Sequence, residues 1–547
     1  MRCLSCPREA FSLEGEIMFE LDDSFHVYDT TLRDGAQREG ISYSVADKLA
    51  VARLLDSYGV GFIEGGWPGA LPKDTEFFQR AKEEIDFKFA KLVAFGSTRK
   101  AGVAVEDDPQ VKALLDSEAP VITIVAKSDV VHVREALRTS NEENLAMVTD
   151  TVAYLVSKGR RVFVDCEHFF DGYKHDSNYG VELLKAAFAA GASVGVLCDT
   201  NGGTLPSQIG RITADVVERT GGRIGIHCQD DTACAVANTI SAVEAGATHV
   251  QLTANGYGER TGNADLFAVV ANLETKLDMR VLPEGKLRET VRISHAIADI
   301  ANLPANTHQA YAGVSAFAHK AGLHASALKI NPELYNHIDP TVVGNDQRVL
   351  VTEMAGRASV ELKSRELGFD LAGDADAIGR VVTKVKDLEA AGWSFEAADA
   401  SFELLLMEQA HNNRPTLFQV ESWRTIVEQR PDGEVVSEAT VKVHAEGERI
   451  VATGEGNGPV NALDNALRHA VRQLYPELDT IELTDYKVRI LEGVHGTDAV
   501  TRVLVGSTNG DADWTTIGVH ENVIAASWMA LEDALAYGLF KAGRTGK

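Results

Sequence analysis

The chain has 547 residues, 45% of them hydrophobic and 24% charged, enough for at least two domains and too apolar for a disordered tail. Its 53 basic against 80 acidic residues give a net charge of −27, and no Lys/Arg block could neutralise a run of phosphates, so nucleic acid is not expected as a partner. An anionic ligand would need a local positive site made from a few Arg or Lys, helix N-termini or a metal ion.

Residues 1–23 read as an N-terminal extension. The opening MRCLSCPREAFSLEGEI lacks the apolar core of a signal peptide, and Met18 offers an alternative start. No apolar stretch of about 18 residues stands out, so a membrane span is not expected and a cytoplasmic location is. Cys3 and Cys6 have zinc-like spacing but no second pair, while Cys166, Cys198, Cys228 and Cys234 lie in or beside apolar runs and read as structural.

From 24 to about 280, short apolar runs alternate with segments of helical period. The runs are FHVYD (25–29), GFIEGG (61–66), FAKLVAF (89–95), VITIVA (121–126), RVFVDC (161–166), SVGVLCD (193–199), RIGIHC (223–228) and THVQLTA (248–254). Between them lie helix-like pieces such as VADKLAVARLLDSYG, several closed by a glycine suited to a helix C-terminus. Eight βα units in about 250 residues predict an α/β protein with a (β/α)8 TIM barrel, whose active site lies at the C-terminal strand ends. Polar residues gather at those ends: Asp29, Arg33, Asp34 and Gln37, then Glu64, then Asp165, Glu167 and His168, then Asp199 and Thr200, then His227, Gln229, Asp230 and Asp231, and finally Asn255, Glu259, Arg260 and Asn263. The opposite ends show no comparable cluster. Singly, an Asp or His at a strand end is more often a helix cap or a hydrogen-bonded loop anchor than a catalytic group. Their grouping suggests a divalent-metal site with O and N ligands. The segment NGYGERTGN lacks the GK[ST] ending of a phosphate loop and reads as a turn.

Residues 281–412 are expected to form helical subdomains, with ETVRISHAIADIAN, ADAIGRVVTKVKDLEAAG and SFELLLMEQA at helical spacing. From 413 to 547 the chain becomes an α+β domain built as an internal repeat offset by 64 residues, which pairs Gly454 with Gly518 and Ala466 with Ala530.

The segments HVYDTTLRDGAQ, VDCEHFFDGYK, CDTNGG, GIHCQDDTACAVAN and NGYGERTGNADL together resemble the Claisen-condensing acyltransferases that share a barrel with the 3-hydroxy-3-methylglutaryl-CoA lyases. Lys48, which follows LRDGAQ after ten intervening residues, belongs to the same likeness, which runs on through FAHKAGLHASALKINPELYNHIDP to the C-terminus. It implies Asp34, His227 and Asn263 as metal ligands. Where the family has His-x-His, this chain has Gln229, whose carbonyl oxygen shifts the expected cation from Zn²⁺ toward Mg²⁺ or Mn²⁺. The resemblance further implies that Arg33 stabilises the developing oxyanion and that Glu167 and His324 act as an acid/base pair, with Tyr335 nearby. Gln37, Asp165 and Thr200 would contact substrate, Thr200 through its carboxylate. His324 would reach the barrel mouth from another segment or across a homodimer; without the family match, His324 and His319 read as surface histidines and Tyr335 as a packing aromatic.

The implied reaction joins acetyl-CoA to a 2-oxo acid and then hydrolyses the thioester. CEHFFDGYK and NGYGERTGNADLF are more like the pyruvate-using branch, which forms citramalate, than the 2-oxoisovalerate branch. The C-terminal domain resembles the family's regulatory dimer module, for which isoleucine would be the fitting feedback amino acid. A lyase on the same barrel and a non-catalytic amino-acid sensor are the alternative readings.

Overall fold

The computed structural model describes residues 23–544 except 353–355, 370, 372, 412, 413, 415 and 492–498. Cys3, Cys6, Met18 and the expected N-terminal extension up to residue 22 lie outside the described residues. The chain forms two compact units. One runs up to Phe317 and takes back Ile338–Asp346; the other comprises Ala318–His337 and Gln347–Lys547.

The first unit holds a closed parallel barrel of eight strands in sequential order. These are β1 (His26–Asp29), β2 (Phe62–Gly66), β3 (Lys91–Ser97), β4 (Val121–Lys127), β5 (Arg161–Glu167), β6 (Val194–Asp199), β7 (Ile224–Cys228) and β8 (His249–Leu252). Each matches one of the eight apolar runs to within a few residues. Strand side chains alternate in direction, so every second residue enters the barrel: Tyr28, Phe62, Val93, Val121, Phe163, Val194, Val196 and Cys198 form one buried cluster inside it. The intervening residues pack outward against the helices. The first helix, Val45–Tyr58, shows how local chemistry sets its bounds. Ser44 and Asp47 form a capping box at one end, and Gly59, at φ 98°, ends the other in the left-handed region. Cys166, Cys198 and Cys228 are buried free thiols.

The opposite mouth of the barrel is more polar than expected. His26 Nδ1 lies 3.1 Å from His249 Nδ1, and Arg161 donates to Asp23 at 2.9 Å. Arg223 also bonds the His26 ring. Burial, only partly offset by Asp23, depresses His26 to about 4, and burial likewise holds His249 well below the ordinary imidazole value. Asp23 and His26 come from the start of β1, and Arg161, Arg223 and His249 from near the starts of β5, β7 and β8, so only closure of the barrel gathers them.

In the second unit a short parallel pair, β9 (Ala318–His319) and β10 (Arg348–Val349), precedes helices Arg357–Glu366, Ala375–Ala390 and Asp399–His411. Two antiparallel three-stranded sheets follow. The first is β11 (Phe418–Gln429), β12 (Val435–Ala445) and β13 (Glu448–Gly456); the second is β14 (Glu482–Ile490), β15 (Thr501–Thr508) and β16 (Asp513–His520). Helix Pro459–Val471 follows the first and helix Val523–Lys541 the second. The latter is long and apolar enough to cross a bilayer by length and composition, which corrects the expectation that no such stretch exists, but 61% of its apolar window is buried within the protein.

The 64-residue offset has a direct physical counterpart. A Cβ on Gly454 would meet Ala466 N at 2.4 Å, and one on Gly518 would meet Ala526 O at 2.0 Å and Ala530 N at 3.0 Å. In both halves the helix backbone presses directly onto the strand. Gly518→Ala is therefore expected to destabilise this unit by about 1–3 kcal/mol, as overpacking does, read as an earlier thermal unfolding transition; an unchanged transition would show that the helix can move away.

Candidate active site

Arg33, Asp34, Gln37, Asp165, Glu167, Thr200, His227 and Gln229 all line one cavity of about 430 Å³ at the C-terminal mouth of the barrel, together with Glu259 and Arg260. Asn263 joins it through a backbone bridge that sets it beside Gln229. Barrel closure thus unites residues as far apart in sequence as Arg33 and Asn263.

Arg33 is held from beneath by Glu64. That carboxylate is fully buried and accepts from Tyr28 Oη and Thr30 Oγ1, each at 2.5 Å, and from Arg33 Nε at 2.6 Å. The guanidinium also lies over the Phe95 ring, 4.0 Å from its centroid. Burial works against the charge of Arg33, but Glu64, then Asp34 and Asp165, more than offset it. The result is a fixed cation facing the cavity. Lys48 sits outside this group: buried, it donates to Gly65 O at 2.8 Å and pairs with Asp74, which accepts from Trp67 N at 2.8 Å. It shapes the turn after β2 rather than touching the cavity.

Asp34 Oδ2 lies 3.2 Å from His227 Nε2. Burial opposes ionisation of Asp34, yet Arg33 and His227 hold its carboxyl well below the usual range. Burial likewise works against the imidazolium, and Asp34 raises His227 above its ordinary value. Gln251 sets the tautomer. Its Nε2 donates to Asp165 Oδ1 at 2.8 Å, which leaves Oε1 to accept Nδ1–H of His227 at 2.9 Å and turns Nε2 toward Asp34. Facing each other, the carboxylate and Nε2 call for either a proton or a metal cation between them.

Two further donors complete that set. Gln229 Oε1 and Asn263 Oδ1 are buried without hydrogen-bond partners, a costly state that a cation relieves. Gln229 Nε2 now donates to Asp34 at 3.2 Å, and a half-turn of the carboxamide exchanges its two ends. No three His, Cys, Asp or Glu side chains gather in ligand geometry among the described residues; a site here consists of one carboxylate, one imidazole and two carboxamide oxygens. That donor set fits a hard divalent cation. Gln251→Leu should lower Mn²⁺ affinity about 10- to 100-fold through loss of His227 orientation, measured by titration of the purified protein; unchanged affinity would show that the ring needs no such support.

The glycines of NGYGERTGN serve this geometry. Gly258 has φ 153° and a Cβ there would strike Asn263 Nδ2 at 2.2 Å, while one on Gly262, at φ 97°, would strike Gly256 O at 1.9 Å. The loop is a tight turn that delivers Asn263, as its missing lysine suggested. Other mouth residues are anchors: Asp29 accepts from Thr31 N and Oγ1, both at 2.9 Å, and Asp199 accepts from Thr204 Oγ1 at 2.8 Å. Asp230 accepts from Ala235 N at 2.8 Å, and Arg260 pairs with Asp231. Asn255 bonds the Ser294 backbone at 3.0 Å.

Thr200 Oγ1 accepts the backbone N–H of His168 at 2.9 Å, so its own proton is free to donate. Burial, then Glu64, push Asp165 up to about 7. His324 and Tyr335 belong to the second unit, where their rings stack with centroids 4.0 Å apart and His319 lies 5.8 Å from His324. Tyr335 is 39% exposed. Sequence reasoning missed Gln251, Phe95 and Lys127. Gln251 was visible as a polar residue inside the eighth run, and Lys127 stands one place beyond the end of the fourth.

Residues 24–297 match the HMGL-like family model, which defines the class of barrel. Residues 312–392 match the homocitrate synthase post-HMGL domain-like model, and 396–539 the LeuA allosteric (dimerisation) domain. The chain is 67% identical to the (R)-citramalate synthase of Streptomyces coelicolor over 96% of its length and 98% of the relative's. It is 46% identical to the (R)-citramalate synthase of Aquifex aeolicus, over 95% and 98% of the two chains. Identity to the 2-isopropylmalate synthase of Pyrococcus furiosus is 30%, over 93% and 98%. The chain belongs to the (R)-citramalate synthase family.

Proposed function

We propose that the protein condenses acetyl-CoA with pyruvate and hydrolyses the resulting thioester with water, giving (R)-citramalate and free CoA. The observation that carries this reading is likeness along the whole chain, at 67% identity, to a relative named for that activity. The cavity supports it with the fixed Arg33 guanidinium, a set of metal-type donors and an acid/base carboxylate gathered at one mouth of the barrel.

Asp34, His227, Gln229 and Asn263 would hold the metal, and their two carboxamide oxygens would favour Mn²⁺ or Mg²⁺ over Zn²⁺. When bound, such an ion polarises a keto group and binds its carboxylate. The remaining work falls to protein groups. Arg33, fixed by Glu64, faces the oxygen that becomes negative as the ketone is attacked, a preorganised donor of the kind that lowers barriers most. Thr200 donates a hydrogen bond from its free hydroxyl to the substrate carboxylate, with Gln37 and Asp165 completing the pocket. Glu167 and His324, with Tyr335 beside His324, carry protons between the acetyl methyl, the new hydroxyl and the thioester. The methyl of pyruvate and the isopropyl of 2-oxoisovalerate differ by only about 1–3 kcal/mol in pocket contacts, so the substrate is assigned from likeness.

In the second unit, exposed apolar side chains at Ile426, Val427, Val435, Val451, Tyr486, Val488 and Ile490 support homodimer formation through the sheets. Isoleucine is the proposed feedback amino acid there. A cavity of about 570 Å³ with Trp423, Trp528, Arg414, Glu532 and Asp533 on its walls supports binding of an apolar zwitterion. The proposed location is cytoplasmic.

The test supplies acetyl-CoA with pyruvate, 2-oxoisovalerate or 2-oxoglutarate in Mn²⁺ or Mg²⁺ and follows free thiol. Thiol release with pyruvate, abolished by chelator and restored by metal, is expected. Release with 2-oxoisovalerate alone would reassign the substrate, and none with any oxo acid would favour a sensor.

A further inference from the structure

Three charged side chains of the barrel cavity have no part in the scheme above: Glu259 and Arg260 in the loop after β8, and Lys127 at the end of β4. We propose that Lys127 is a positioning residue that holds the Glu167 carboxylate in its working orientation, a proposal that rests on the reading of Glu167 as one of the acid/base pair. The parallel register sets Lys127 directly beside Glu167 on β5, and because both face the same way, Lys127 Nζ forms an ion pair with Glu167 Oε2. The contact engages Oε2, so Oε1 is the oxygen left for proton transfer.

The backbones beneath the pair are clamped as well. Ser128 N and Oγ donate to Glu167 O at 3.2 and 2.7 Å, and Asn144, itself buried, donates to Lys127 O at 2.9 Å and to Tyr179 Oη at 2.8 Å. This stiff base is what a long, flexible carboxylate needs if it is to transfer a proton at a fixed point. Charge favours the same role. Asp165 precedes Glu167 in the same inward row, and the Arg33 guanidinium is engaged by Glu64 and Asp34. The ammonium on β4 is thus the counter-charge at Glu167, with His168 and His132 stacked beside it, ring centroids 3.8 Å apart.

The test uses full-length, metal-loaded protein with acetyl-CoA and pyruvate varied separately, and follows thermal unfolding as a control on folding. Lys127→Met is expected to lower kcat about 100-fold while KM for either substrate stays within about twofold of wild type. Lys127→Arg should recover most of that loss. In a Glu167→Gln background Lys127→Met should cost nothing further, because the group it positions is gone. Lys127→Gln serves the same comparison if Lys127→Met does not fold. A raised pyruvate KM with kcat intact would make Lys127 a substrate-binding group and overturn the proposal. So would a loss that persists in the Glu167→Gln background. Normal kcat in Lys127→Met beside an inactive Glu167→Gln overturns the proposal alone; normal kcat in Glu167→Gln overturns the role of Glu167 as well.

Discussion

Arg33→Ala is expected to lower turnover by about 10²–10³, the usual consequence of deleting one preorganised donor at a developing oxyanion. The loss should fall on kcat, since the group is aimed at charge that appears only during attack. The structure adds a second expectation. Glu64 is fully buried, and without Arg33 its charge retains only the hydroxyls of Tyr28 and Thr30. Breaking a buried pair by removing one partner costs about 3–5 kcal/mol, and the two hydroxyl donors should keep the cost at the lower end. The variant should therefore melt earlier as well as turn over slowly. Arg33→Ala combined with Glu64→Gln separates the two effects, because it removes the stranded charge and should restore much of the thermal stability while leaving turnover low. Wild-type turnover in Arg33→Ala would remove the guanidinium from the chemistry.

Asp34→Asn is expected to cost more than 100-fold in Mn²⁺ affinity, beyond the about 10- to 100-fold range of residues that only orient ligands. Asparagine keeps the volume but deletes the one formal negative charge among Asp34, His227, Gln229 and Asn263. A divalent cation would then meet an imidazole and three carboxamides, and nothing would balance its charge in a buried place. Calorimetric titration with Mn²⁺ reads the affinity directly, and turnover should fall with it at fixed metal concentration. Folding should survive, since no other side chain leans on Asp34 as heavily as Glu64 leans on Arg33. Normal Mn²⁺ affinity in Asp34→Asn would place the metal elsewhere.

The four proposed ligands differed in how well the sequence marked them. Asp34 and His227 stand at strand ends in a chain whose βα rhythm is plain, and polar residues at that end of a barrel are functional by position. Asn263 lies in a loop whose glycines gave no local reason to look for a ligand, yet the loop exists to carry it. Gln229 stood in the polar group after the seventh run and as a departure from a family pattern, but its buried, unpartnered oxygen is a property of the folded site. Lys127 and Gln251 went unnoticed because a lysine ending a strand and a glutamine inside one have many ordinary uses.

What the sequence determined by itself is what repeats locally. Alternating apolar residues, capping groups and closing glycines fix eight strands and their helices, and the 64-residue offset fixes the doubled C-terminal unit, because each depends on neighbours a few positions apart. Only tertiary structure decided which polar residues meet. The bonded pair Asp34 and Gln229 are 195 positions apart and the bonded pair Asp165 and Gln251 are 86 apart, and no local preference carries information over such spans. Closure of the barrel sorts the mouth into a metal set, a buttressed arginine and plain loop anchors, and it gathers the His26 and His249 cluster at the other end. Burial then assigns the charges: the same carboxylate chemistry gives a strongly ionised Asp34 beside Arg33 and an Asp165 raised to about 7 by burial and Glu64.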